Sequence, residues 1–63
     1  MSRIVILTAE FQISHGRAPR GYGAWMFEIG GHKVDYVGTY GEVCKRARQY
    51  ARNIGETVVK LLP

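Results

Sequence analysis

In "RIVILTAEFQIS", Arg3 to Ser14, apolar side chains recur at every second position: Val5, Leu7, Ala9, Phe11 and Ile13 share one side of a two-residue period. With its β-branched content, the run predicts a strand. Two further apolar-rich runs, "GAWMFEI" and "HKVDYVGT", flank Gly30-Gly31. That dipeptide suits the positive φ angles of a two-residue hairpin turn. Such a turn sets Ile29 opposite His32, Glu28 opposite Lys33, Phe27 opposite Val34 and Trp25 opposite Tyr36. One opposite-charge pair and two apolar or aromatic pairs result, all of a kind that stabilises antiparallel ladders.

From Gly41 the period changes. Val43, Ala47, Tyr50, Ile54 and Leu61 recur at spacings of three, four and seven, which predicts an amphipathic helix. Lys45, Arg46, Arg48 and Arg52 fall mostly off that stripe. Gly55 either caps the helix or is tolerated within it at about 1 kcal/mol. The tail "ETVVKLLP" has two readings, further helix or a short extra strand, and is read as helix.

The expected fold is therefore α+β, one domain over residues 1–63: a three-stranded antiparallel sheet followed by a C-terminal helix across one face, β-β-β-α. Trp25, Phe27, Ile29, Val34 and Tyr36 face the helix, together with the odd-numbered residues of the first strand. The opposite face carries Ile4, Ile6, Ala24, Met26 and Val37, with Thr8, Glu28, Lys33 and Asp35 around them. A sheet with one wet face normally alternates more cleanly. Such a patch marks either a partner site or a scatter of exposed aliphatics. Ile4, Ile6, Met26 and Val37 are the candidate interface, for a homodimer or a protein partner.

Size and composition narrow the chemistry. A chain of 63 residues buries only about 60% of its unfolded surface, so a staple, metal or partner matters. The single cysteine, Cys44, excludes an internal disulfide and fits a reducing compartment. His15, His32 and Cys44 lack zinc-ligand spacing, and neither metal nor cofactor is expected. No apolar run approaches the roughly 20 residues of a membrane span. The N-terminal run reads as a strand, not a signal peptide, and Glu10 interrupts it early. A cytoplasmic protein is expected. The net charge of +4 favours a polyanionic partner, DNA or RNA.

With the elements placed, residues 5–38 resemble the opening of a ribonuclease H-like domain. "IVILTAEF" is similar to that family's first strand, "GRAPRGYGAW" to the Gly/Pro-rich loop entering strand two, and "EIGGHKVDYVG" to the second hairpin. The resemblance implies a truncated version of that fold and, in the active family, two-metal cleavage of RNA in hybrids. Two-metal chemistry needs carboxylates converging on ions about 3.5–4 Å apart. Here Glu10 stands where the family's first Asp would be, the helix reads "CKRARQYA" where a glutamate is expected, and the later acidic strand is missing. The resemblance therefore implies a non-catalytic domain, with Glu10 the catalytic candidate only in a nuclease. A second stretch, "WMFEI…KVDYVGTYGEVCKRARQYA", is similar to plant AP2-type and integrase-type DNA-binding domains. Those read DNA with the sheet face away from the helix, where this chain carries Ile, Met and Val rather than arginine.

Two segments carry candidate binding chemistry. In "HGRAPRGYGAW", Arg17 and Arg20 lie among glycines whose freed amides can meet phosphate. No GxxxxGK[ST] or GxGxxG pattern is present, and the alternative is a solvated turn. "KRARQYAR" carries Lys45, Arg46, Arg48 and Arg52: a solvated face, or contacts to a DNA or RNA backbone. Tyr22 and Tyr40 are the candidate stacking aromatics. Cys44 lies beside Lys45 and Arg46 near a helix start but lacks a positioned base, and adjacent Ser14 and His15 do not make a dyad. The leading expectation is non-enzymatic, sequence-independent nucleic-acid binding through Arg17, Arg20, Lys45, Arg46, Arg48 and Arg52. A partner-docking adaptor or oligomer is second, and a metal-dependent nuclease third.

Overall fold

The computed structural model describes residues 3–63; Met1 and Ser2 of the expected domain lie outside the described residues. Residues 22–39 form an antiparallel hairpin. Gly30 and Gly31 adopt φ of 58° and 82°, a conformation that side chains with a Cβ disfavour, and they close the turn. The pairing runs without a break from Tyr22·Thr39 to Ile29·His32 and includes every pair expected from the turn.

In chain order the elements are β1 (Val5–Leu7), α1 (Ala9–His15), β2 (Tyr22–Ile29), β3 (His32–Thr39), α2 (Tyr40–Ile54) and β4 (Val58–Leu61). They form an α+β domain with a four-stranded mixed sheet, spatial order β1-β4-β2-β3. The three-stranded β-β-β-α arrangement is thus corrected at both ends. The first strand stops after three residues, and the segment expected to extend it winds into α1. Gln12 N–H donates to the Thr8 carbonyl, the Gln12 amide donates to Thr8 Oγ1, and Gly16 N–H closes the helix on the Gln12 carbonyl. Winding carries Phe11 into the core, 5.6 Å centroid to centroid from Trp25, and leaves Ile13 exposed.

The tail is the second correction. α2 ends at Gly55, whose N–H donates back into the last turn, and β4 follows instead of more helix. β4 lies parallel to β1 and antiparallel to β2, between the two. Val59 and Leu61 are fully buried, while Lys60 points to the other side. Burial of such aliphatic side chains contributes about 1.5–3 kcal/mol each.

One side of the sheet packs against α2 through Phe27, Ile29, Val59, Leu61, Val43, Ala47 and Ala51. Trp25 joins this core and donates its indole N–H to the Gly38 carbonyl at 3.1 Å. Ile4 and Ile6 pack against the same core, so their expected place on the open face is reversed. The residues of β1 that face outward are Val5 and Leu7. The reversal follows from the partner: β1 takes its facing from β4, not from the hairpin.

Candidate nucleic-acid interface

α2 begins where Thr39 Oγ1 accepts the Glu42 N–H at 3.3 Å. Glu42 in the first turn and Arg52 in the last both complement the helix dipole. Val43, Cys44, Ala47 and Ala51 are buried, which leaves Lys45, Arg46, Arg48 and Arg52 exposed. At 100° per residue, Lys45, Arg48 and Arg52 fall within about 60° of one another. Arg46 lies about 100° or more round the helix, across the solvent side. The four cations therefore form a stripe of three and an outlier.

The Arg17–Arg20 loop is anchored beside the start of α2. Tyr40 N–H donates to the Gly21 carbonyl at 2.9 Å. At the other end of the loop, His15 stacks on Phe11 with centroids 4.0 Å apart. Phe11 packs on Trp25, and Trp25 on Tyr40 at 5.1 Å. This aromatic series ties α1 to the first turn of α2. Burial, and then a hydrogen bond with the Cys44 thiol, push the Tyr40 phenol well above its ordinary pKa; the nearby Arg48 charge opposes that shift. Arg17 and Arg20 are both exposed.

Of the two candidate stacking residues, Tyr40 is occupied by its contact with Trp25, whereas Tyr22 is 76% exposed at the loop's exit. Cys44 is buried. Among the described residues the one ion pair joins Lys60 to Glu10, so the cations of α2 and the loop carry none. That pair crosses from α1 to β4, and its hydrogen bond raises the Lys60 pKa. No group of three His, Cys, Asp or Glu side chains gathers among the described residues.

The open side of the sheet is the second candidate surface. Met26 and Val37 lie there as expected, 45% and 62% exposed. The sequence reading missed Val5, Leu7 and Val58, which join them. Between these aliphatics runs a charged row set by pairing: Leu7 beside Lys60, Lys60 beside Glu28, Glu28 beside Lys33. Among the described residues no pocket opens on either side, and no helix is long and apolar enough to cross a membrane. No family model, curated protein or solved structure matches the chain.

Proposed function

We propose that this domain binds DNA or RNA backbones, without catalysis, through Lys45, Arg48 and Arg52 of α2 and through Arg17 and Arg20 of the adjoining loop. The observation that carries the reading is the helical stripe: three exposed cations on one side of a helix, none engaged in an ion pair among the described residues. Unpaired cations can exchange their counterions for phosphates, and counterion release supplies most of the free energy of non-specific binding. Arg46 plays a lesser part because it projects to the other flank. Tyr22 offers an exposed ring on which a single-stranded base can stack. The resemblance to ribonuclease H-like domains rests on "GRAPRGYGAW" and "EIGGHKVDYVG"; "IVILTAEF" does not support it, because it is strand only as far as Leu7 and winds into α1 from Ala9. Glu10 does not support a nuclease: it is engaged by Lys60, and among the described residues no cluster of carboxylates surrounds it.

Titration of labelled duplex DNA and single-stranded RNA at low salt tests the reading. Replacing Arg48 and Arg52 together by Ala is expected to weaken binding about tenfold or more. Arg46→Ala is expected to have a clearly smaller effect. No measurable affinity at low salt, or equal losses from both variants, contradicts the proposed stripe.

A second reading is favoured by the open sheet side, where Val5, Leu7, Met26, Val37 and Val58 are each more than two-fifths exposed. A protein partner, a second copy included, seated there would cover an apolar surface that the chain leaves in water. Met26→Glu is then expected to abolish that association while the circular dichroism stays native. An unchanged solution mass in any complex found argues against it.

A further inference from the structure

The outer edge of β3 has a feature distinct from the apolar face. Among the described residues the sheet order leaves β3 paired only with β2, so eight residues, His32–Thr39, form an edge. That edge contains no proline, and its pairing with β2 has no bulge. Because Ile29 and His32 close a two-residue turn, alternation of the ladder directs the backbone N–H and C=O groups of Lys33, Asp35 and Val37 outward. Natural edges are commonly protected by a charge that repels an incoming strand. Here the exposed charges are of both signs two residues apart, Lys33 and Asp35.

We propose that two copies of the chain pair antiparallel through β3, on a two-fold axis at Val34, to make one continuous sheet. This axis places Lys33 opposite the partner's Asp35 and Asp35 opposite the partner's Lys33. Neighbouring centres fail: an axis at Asp35 sets two carboxylates against each other, and one at Tyr36 leaves both charges opposite uncharged residues. On the helix-covered side, Val34 meets its own copy, and His32 meets the partner's Tyr36. Val34 and Tyr36 are half-buried in the single chain and gain cover. The charged row of the open side then continues across the axis as Lys60, Glu28, Lys33 and the partner's Asp35. The self-complementary charge pattern is what identifies the occupant as a second copy.

A one-strand contact falls well below the about 1,600 Å² of a standard interface, so weak, reversible association is expected. Sedimentation at high protein concentration should show dimer for the native chain. Asp35→Lys alone and Lys33→Asp alone should each weaken it at least about tenfold. An equimolar mixture of the two variants should form a heterodimer, since every cross-axis pair is again of opposite sign. That recovery also rules out misfolding of either variant. Val34→Cys should yield a disulfide-linked dimer on oxidation, because Cα atoms of a directly opposed, non-hydrogen-bonded pair lie about 4.5 Å apart. Val37→Cys, far from the axis, should not. A native chain that stays monomeric at about 1 mM, a mixture that stays monomeric, or linkage at Val37→Cys instead of Val34→Cys overturns the proposal; the last outcome points to packing through the open face.

Discussion

In the β2–β3 hairpin Ile29 meets His32 across a two-residue turn, whereas in the β1–β4 pair Val5 meets Val58, 53 positions away. Closing the longer loop costs about 2.5 kcal/mol more than closing the shorter one. The hairpin therefore depends on local chemistry: two glycines, one charge pair and facing aromatics. β4 depends on the core. Its two fully buried residues, Val59 and Leu61, contribute about 3–6 kcal/mol together, enough to outweigh the closure term. The same sheet thus contains one pairing written into adjacent residues and another that exists only once α2 is in place to cover it.

The largest expected effect comes from removing the long-range pairing. Deleting residues 57–63 takes out the strand between β1 and β2, and loss of a cooperative urea transition is expected. A β-β-β-α domain would survive that deletion, so a retained transition contradicts the central place of β4. Next comes the point where the two pairings touch. A Cβ at Gly30 would lie 2.9 Å from Glu56 Cγ, in the connection to β4, and 3.1 Å from Ile54 Cδ1, at the end of α2. At Gly31 a Cβ meets nothing within 4 Å. Gly31→Ala should cost about 1 kcal/mol from its positive φ alone. Gly30→Ala should cost about 1 kcal/mol more, because it must also displace those side chains. Equal urea midpoints for the two variants would show that the turn and the β4 connection are independent.

What could be read in the sequence follows the same division. The hairpin register was legible residue by residue because a two-residue turn leaves no freedom in it. α2 was legible from its period, and Trp25 and Phe27 in the core from their strand facing. α1 was not, since Ala9, Phe11 and Ile13 alternate like a strand. The competing signal was Thr8 before the run and Gly16 after it, a start and stop for a short helix. β4 was hidden because Leu61 falls on the helical spacing of α2. Gly55 as a stop and the β-branched Thr57-Val58-Val59 pointed the other way. Placing Ile4 and Ile6 on the wrong side came from the same omission, since β1 has no facing until β4 is known.

The candidate interface was legible as a list of cations but not as a surface. Sequence alone grouped Arg46 with Lys45, Arg48 and Arg52; the winding of α2 sets it about 100° or more from them across the solvent side. The anchoring of the Arg17–Arg20 loop beside Tyr40 depends on the Phe11–Trp25–Tyr40 contacts, and these require α1. Neither the stripe nor its neighbouring loop follows from charge counting.

The salt dependence of duplex binding measures the number of phosphates engaged and so addresses the proposed stripe most directly. With three helix cations in contact, their share of the slope of log affinity against log salt is about −2.7, and replacing Arg48 and Arg52 by Ala should flatten the total by about 1.8. A slope that those two substitutions leave unchanged, or that Arg46→Ala flattens just as much, would contradict backbone binding by this side of α2.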